Sequence, residues 1–328
     1  MDKNSFKDFA LEHGIKYLEH EELSKHTSFK IGGPAEIFAK PSSEEQVCEI
    51  VKFCKENDVS STTLKIAVGH DSRISASRIK NCVISTLSKR GVRVVDCSMA
   101  STPAMFMTTI DLEADAAIQI TASHHPKDRN GLKFFTRDGG LDSSDISEIL
   151  ESASKIENPI GNETGSCAKM PYMKRYAQIL REMIINGVNS ETNRSRPLEG
   201  TKIVVDAGNG VGGFYAKDVL EPLGADISGS VYLEPDGNFP NHAPNPENAD
   251  AMDCVSKATI DADADFGVIF DTDVDRAACV GKGGFEINRN RLVALAAKIA
   301  LCNCPGGTIV TDSVTSDGLT EFIKENGG

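Results

Sequence analysis

The sequence predicts an α/β protein made of consecutive α/β domains with mixed, largely parallel sheets, preceded by a short α+β fragment. From Leu64 onward, short strand-like runs alternate with helical runs, which is the signature of a parallel α/β sheet. Residues 1–58 differ, because they indicate a helix, short strands and a second helix. Ser43 and Gln46 have the spacing of a capping box at the start of that second helix.

Polar connecting stretches divide the chain. VNSETNRSRPLE has the composition of a linker, and TKIVVDAGNGVGG then opens a second α/β unit. GTIVTDS starts a third unit of barely one strand and one helix, too short to bury its own core. The predicted segments are an N-terminal fragment (1–60), a first α/β domain (61–190), a second (191–305) and the start of a third (306–328).

Composition limits the possible functions. The net charge of −13 argues against a general nucleic-acid or anionic-membrane binder. The apolar stretch Leu292–Leu301 is too short to span a bilayer, and the first residues lack an apolar signal core. The 9 cysteines include no CxxC pair, which favours reduced thiols over a zinc site. We therefore expect a cytoplasmic protein; the sequence does not specify its oligomeric state.

A serine-histidine turn follows the apolar run AAIQI. Ser123 lies where ligand sites form, at the carboxyl end of a predicted strand. A serine hydroxyl needs a base or a metal to become a nucleophile, and His124, His125 and Lys133 are candidates for acid–base work or phosphate contact. An ordinary turn ended by Pro126 is the alternative.

An acidic loop follows the apolar run FGVIF. Asp271, Asp273 and Asp275 alternate, so they share one face of an extended segment or surround a cation in a loop. Hard cations such as Mg²⁺ take oxygen ligands, and three neighbouring acids repel each other without one. A metal site is favoured over a solvated acidic loop.

A glycine-rich loop, DAGNGVGG, fits GxGxxG at Gly208, Gly210 and Gly213. This spacing occurs in dinucleotide-binding loops, but no clear acid closes the expected second strand. A glycine turn between a strand and a helix is the better interpretation.

Together these motifs resemble the α-D-phosphohexomutase family (phosphoglucomutase/phosphomannomutase), from about Leu64 to Gly328. The motifs occur in the family's order: VGHDSRIS, STPA, ITASHHPKDRNGLKFF, VVDAGNGVGG, LEPDGNFPNHAPNPE and FDTDVDR. The resemblance implies phosphoserine at Ser123 and Mg²⁺ bound by that phosphate and by Asp271, Asp273 and Asp275. It also implies that Arg276 and Arg73 lie at the phosphoryl site with His124 and Lys133 nearby. His125 is a departure, since the family more often has Asn there.

The resemblance implies a mechanism as well. Phospho-Ser123 would give its phosphoryl group to a hexose phosphate, and the hexose bisphosphate would reorient and return the other phosphate. Charge stabilisation by Mg²⁺ and Arg is the usual means of such catalysis.

Residues 1 to about 58 resemble a different family. LSKHTSFKIGGPAEIFAKPSSEEQVCEIVKFCKEND is similar to the N-terminus of UDP-N-acetylenolpyruvoylglucosamine reductase, a flavoprotein. The match stops before that family's flavin-phosphate loop, so we expect no bound FAD. We interpret the chain as a reductase fragment joined to a truncated mutase.

Three functions compete on this basis: a phosphohexomutase, a flavin reductase, and a non-catalytic remnant that binds metal or sugar phosphate. The complete motifs favour the first over the second. The family's fourth domain, which holds the non-transferring phosphate, is not found in this sequence, so we expect little turnover from this chain alone.

Overall fold

The computed structural model describes residues 3–26, 33–56, 64–156, 165–188, 195–311 and 315–328. The chain divides into two compact units. One comprises Met1–Lys65, Ser85–Val94 and Gly140–Cys167, and the other comprises Ile66–Ile84, Val95–Gly139 and Ala168–Gly328. The predicted boundaries at 60/61 and 190/191 lie outside the described residues, so the domain limits stay predictions.

The smaller unit opens with an α+β arrangement. In chain order it contains α1 (Lys3–Glu12), β1 (Lys16–Glu22), a 3₁₀ turn (Leu23–Lys25), β2 (Pro34–Lys40) and α2 (Glu44–Glu56). The two strands pair antiparallel, and Phe6, Ala10 and Ile15 are buried in a small core. At the start of α2, Ser43 Oγ accepts from Gln46 N at 3.3 Å, while the Gln46 side chain accepts from Ser42 N at 2.8 Å. The helix therefore starts as predicted, but the Gln46 side chain accepts from the amide of Ser42, one residue before the capping Ser43.

A six-stranded mixed sheet carries the first set of motifs. Its elements and the helices between them are β3 (Lys65–His70), α3 (Ala76–Ser88), β4 (Arg93–Met99), α4 (Thr102–Asp111), β5 (Ala116–Ile120), β6 (Leu132–Thr136), β7 (Gly139–Gly140), α5 (Ser143–Ser154), β8 (Ser166–Lys169) and α6 (Met173–Val188). The strand order is β7-β6-β5-β3-β4-β8, with β3 and β5 parallel and β5 and β6 antiparallel. Since β3 and β5 run the same way, the segments that begin at Asp71 and Thr121 lie at the same edge.

A three-stranded mixed sheet carries the acidic loop. The elements are β9 (Ile203–Asp206), a π-helical turn (Tyr215–Leu220), α7 (Ala249–Asp261), β10 (Phe266–Phe270), β11 (Ala277–Gly281), α8 (Arg289–Asn303) and α9 (Asp317–Glu325). β9 and β10 are parallel, and β10 and β11 are antiparallel. Val255 of α7 packs with Ile269 and Val280. The predicted mixed α/β fold is confirmed, although residues 307–311, expected as a strand, form none.

Two further structural findings bear on the composition. All nine cysteines are free. No helix in the described part of the chain is long and apolar enough to cross a membrane.

Candidate active site

The serine turn and the acidic loop meet within the larger unit. Ser123 follows β5, and Asp271 follows the buried strand β10, so two strand ends from different sheets supply the main groups. The Ser123 hydroxyl lies 3.0 Å from Asp271 Oδ2, and Arg276 Nη2 donates to the same Oγ at 2.6 Å. The hydroxyl therefore donates to a carboxylate and accepts from a guanidinium.

The backbone at Ser123 is unusual. Its φ of +52° places it in the left-handed region, which non-glycine residues seldom adopt. The Ser123 amide donates to Thr121 Oγ1 at 2.9 Å, and Thr121 Oγ1 in turn donates to Asp71 Oδ2 at 2.8 Å. The turn that presents the hydroxyl is thus fixed by side chains from two adjacent strand ends.

Arg73 holds this turn from beneath. Its Nη atoms donate to four backbone carbonyls, those of Ser123 (2.6 Å), His125 (2.6 Å), Pro126 (2.5 Å) and Arg129 (3.2 Å). Its Nε donates to Asp71 Oδ2 at 3.1 Å. A guanidinium has five N–H groups, so every donor of Arg73 is already engaged. The structure places Arg73 beside the predicted site, with its contacts made to the loop backbone.

Asp71 completes the support. Both its side chain and that of Arg73 are fully buried. Burial raises the pKa of Asp71, while the bonds from Arg73 and Thr121 oppose that rise. The Phe239 ring stacks over Arg73, with 5.5 Å between its centroid and Cζ.

The acidic loop is a tight turn. Val274, a β-branched residue, has a φ of +64°, which is strained for its type. Asp271 Oδ1 accepts from the amides of Asp275 and Arg276, each at 3.1 Å. As a result Asp271, Asp273 and Asp275 each offer an oxygen within 4.8 Å of the others.

The pKa values of Asp271 and Asp275 in this loop shift in opposite directions. Lys133 Nζ lies 2.8 Å from Asp273 Oδ2 and 2.5 Å from Asp275 Oδ2. Burial, followed by the charges of Asp273 and Asp275, raises the pKa of Asp271 to about 7. Burial also opposes ionisation of Asp275, but Lys133 lowers the pKa of that carboxyl. Burial disfavours the charged form of Lys133, but Asp273 and Asp275 raise its pKa.

The donor set fits a divalent cation such as Mg²⁺. All candidate ligands are carboxylate oxygens, which hard cations prefer. Asp273 Oδ1 is buried and has no hydrogen-bond partner, and a buried polar atom of this kind is costly unless something binds it.

The two histidines lie at the mouth of the site. His124 Nδ1 lies 3.4 Å from Ser123 Oγ and contacts Arg276 Nη2. Because arginine only donates, Nδ1 must accept and carries no proton. Burial, followed by the charge of Arg276, lowers the pKa of His124, which favours the neutral ring. His125 stacks on His124 with centroids 4.8 Å apart, and both line a pocket with Lys127, Asn238 and Phe239.

The glycine-rich loop supports the acidic loop. A Cβ at Gly210 would lie 2.7 Å from the carbonyl oxygen of Thr272, and the amide of Val211 donates to that oxygen at 2.9 Å. Asp206, at the start of the glycine loop, is buried against His242 Nε2 at 3.0 Å. The glycines therefore allow two backbones to pack closely, which agrees with the interpretation as a turn.

Sequence reasoning missed several residues that position the site. Thr102, Thr121, Asp71 and His242 were not singled out, because each makes at least one contact with a residue distant in sequence. Asp71 and Thr102 do lie in VGHDSRIS and STPA, so those motifs carried the available signal.

An α/β fold with a serine hydroxyl between a carboxylate and an arginine, next to a cation-compatible acidic loop, is an arrangement suited to phosphoryl-transfer chemistry. The chain matches two family models. "Phosphoglucomutase/phosphomannomutase, alpha/beta/alpha domain I" covers residues 26–159, and "alpha/beta/alpha domain II" of the same family covers residues 174–284. The chain belongs to the phosphoglucomutase/phosphomannomutase family.

Relatives agree with this assignment. The chain is 33% identical over 264 residues to "Phosphomannomutase/phosphoglucomutase" of Pseudomonas aeruginosa, covering 80% of this chain and 54% of the relative. It is 32% identical over 320 residues to "Phosphoglucomutase/phosphomannomutase" of Thermococcus kodakarensis, covering 96% of this chain and 64% of the relative. A solved family protein from Burkholderia thailandensis superposes with a TM-score of 0.70 at 27% identity, covering 84% of this chain and 59% of that one.

The match to the family begins earlier in the chain than the resemblance from about Leu64 led us to expect. The chain spans about half the length of several of the curated relatives it matches, at 54% for two of them. The domain I match begins at residue 26, inside the segment that resembles the reductase. The reductase resemblance and the absence of FAD stay predictions.

Proposed function

We propose that the chain carries the phosphoryl-transfer site of a phosphohexomutase, in which Ser123 exchanges a phosphoryl group with a hexose phosphate through a hexose bisphosphate. The observation that carries this proposal is the position of the Ser123 hydroxyl, 3.0 Å from Asp271 and 2.6 Å from Arg276. Family membership supports the same chemistry.

Asp271, Asp273 and Asp275 would hold Mg²⁺ together with a phosphate oxygen on Ser123. When bound, the cation supplies positive charge that stabilises the transferring phosphoryl group.

The chain's own residues take distinct roles. When Ser123 is phosphorylated, its oxygen forms the new bond to phosphorus, and the bond from phosphorus to the sugar oxygen breaks. The hydroxyl, which donates to Asp271 Oδ2 in the resting site, would turn towards unprotonated His124 Nδ1, 3.4 Å away, and give its proton to that nitrogen. His124 would then donate the proton to the sugar oxygen as the bond to phosphorus breaks. Arg276 directs a donor at the transferring group, and Lys133 fixes two of the acids. We assign Arg73 to holding the turn, and His125 to phosphate contact in the pocket that it lines with His124 and Lys127.

We also place the protein in the cytoplasm, where its nine free cysteines would stay reduced.

Phosphate transfer is tested by incubating the full chain with glucose 1,6-bisphosphate and Mg²⁺, followed by intact mass and peptide mapping. We expect a single phosphate, located on Ser123. Ser123→Ala should take none, and Ser147→Ala, which alters an exposed serine on α5, should take as much as wild type. Stable phosphate on another residue, or none on the wild-type chain, would contradict the proposal.

The metal site is tested by calorimetric titration with Mg²⁺. Asp273→Asn should weaken binding strongly, because it replaces a buried ligand carboxylate. Asp253→Asn, on the helix α7, is the matched control and should leave the affinity unchanged.

A further inference from the structure

We propose that Thr102 is a positioning residue that fixes the Asp273 carboxylate so that this ligand binds the cation through Oδ1 alone. The inference rests on the proposed metal site, and it concerns a residue outside the acidic loop and outside the serine turn.

Thr102 contacts Asp273 twice. Its amide donates to the Asp273 carbonyl oxygen at 2.8 Å, and its hydroxyl donates to Asp273 Oδ2. Thr102 is buried, and the Asp273 side chain has no exposed surface. Backbone and side chain of the ligand are therefore both held by one residue.

The two oxygens of Asp273 have different surroundings. Oδ2 accepts from Thr102 Oγ1 and from Lys133 Nζ, the latter at 2.8 Å. Oδ1 is buried and has no hydrogen-bond partner. Because an ionised carboxylate oxygen buried without a partner is costly, Oδ1 is the atom left for a cation. Removing a partner that orients a metal ligand in this way typically weakens metal binding about 10- to 100-fold.

The segment that presents Thr102 is held by hydrogen bonds to its neighbours. Thr102 is the first residue of α4, and Ser101 caps that helix by accepting from the Ala104 amide at 3.3 Å. Just before it, Ala100 donates to the His70 carbonyl at 2.9 Å and accepts from Gln119 Nε2 at 2.7 Å. The helix start is thus anchored to β3 and β5, the strands that also support the serine turn. Thr102 couples the position of the acidic loop to that of Ser123.

The test compares Mg²⁺ affinity by calorimetry in the full chain for wild type, Thr102→Val and Thr102→Ser. Valine keeps the shape and removes the hydroxyl, so we expect binding to weaken about 10- to 100-fold. Serine keeps the hydroxyl and should restore most of the affinity. Thr108→Val is the matched control, since its buried hydroxyl donates within α4 to the Met105 carbonyl rather than to a carboxylate.

Thr102→Ala carries the same expectation and replaces the valine variant if that one does not fold, as judged by its circular dichroism spectrum. Unchanged affinity in the variants without the hydroxyl, an equal loss in Thr108→Val, or no recovery in Thr102→Ser would each overturn the inference while leaving the metal site intact. A wild-type chain that binds no Mg²⁺ would overturn both this inference and the proposed metal site.

Discussion

Replacing Arg73 by Met should destabilise the larger unit strongly, because it removes all five donors of a buried guanidinium. Methionine keeps an unbranched apolar stem but lacks the guanidinium, so the main loss is the buried charge and its hydrogen bonds. Four carbonyl oxygens of the serine turn lose their donor, and Asp71 becomes an unpaired buried carboxylate. Breaking a buried pair in this way costs about 3–5 kcal/mol. The carbonyls of Pro126 and Arg129 lie in an exposed part of the loop and can hydrogen-bond to water instead, so their loss does not increase this free-energy cost.

The loss is measurable by urea denaturation followed by circular dichroism at neutral pH. Arg175→Met is the control, since Arg175 pairs with Asp111 at an exposed site and should move the midpoint little. In the double variant Arg73→Met/Asp71→Asn, the unpaired charge is gone, so its loss should be smaller than the sum of the single losses. A loss below about 1 kcal/mol in Arg73→Met, or strict additivity in the double variant, would refute the reasoning.

Three further outcomes follow from the same geometry. Mg²⁺ affinity, measured by calorimetry across pH, should decrease as the pH is lowered through about 7. Burial and like charges raise the pKa of Asp271 to about 7, and the protonated carboxyl cannot bind metal. An affinity that does not change with pH would contradict this. Gly210→Ala should cost about 1–3 kcal/mol in urea denaturation because its Cβ would clash with backbone, while Gly187→Ala, where a Cβ meets nothing, should cost nothing. Burial disfavours the charged form of His242, but the hydrogen bond to Asp206 raises the pKa of His242 above its usual value. The pair therefore contributes fully to the free energy of unfolding below about pH 6.5, and this contribution is lost as the pH rises through the folded pKa. His242→Gln should lack that part of the pH-dependence of stability, and a stability–pH curve parallel to that of wild type would contradict the role of the pair.

Local patterns in the sequence predicted the elements that deliver the chemistry. The apolar run AAIQI is the strand β5, and FGVIF is β10, because both are short, apolar and followed by polar turns. The alternation of strand-like and helical runs likewise predicted the α/β class. These features depend on residues that are neighbours in sequence, and the mixed sheets agree with them.

In the acidic loop the three acids do lie close together, as the pattern predicted, but a turn rather than an extended segment brings them together. Alternation on an extended segment would place the three acids on one face. In the structure Val274 adopts a left-handed conformation, and amides within the loop bind Asp271, so a turn brings the oxygens together. The strain of a β-branched residue at that φ cannot be read from a pattern, because surrounding contacts impose it.

Contacts over long sequence separations could not be predicted from local patterns, and the meeting of Ser123 with the acidic loop was expected only from the family resemblance. Thr102 and Asp273 are 171 residues apart, and their pairing depends on how two sheets pack. Arg73 was expected at the phosphoryl site, but the partners of its donors, the carbonyl oxygens of the serine turn, were not predicted. The direction in which a long side chain points is decided by unsatisfied acceptors nearby, and those exist only in the folded chain.

The charges in the site link metal binding to serine phosphorylation. Three carboxylates face two cations, Lys133 and Arg276, which leaves the unphosphorylated site with about one excess negative charge when all are ionised. Mg²⁺ alone reverses that excess, whereas a phosphoserine adds about −1.5 to −2 and restores it. Each ligand therefore favours the other, and linkage makes the effect reciprocal. Chain phosphorylated at Ser123 should bind Mg²⁺ more tightly than the unmodified chain in paired titrations, and equal affinities would show that the acidic loop does not sense the phosphate.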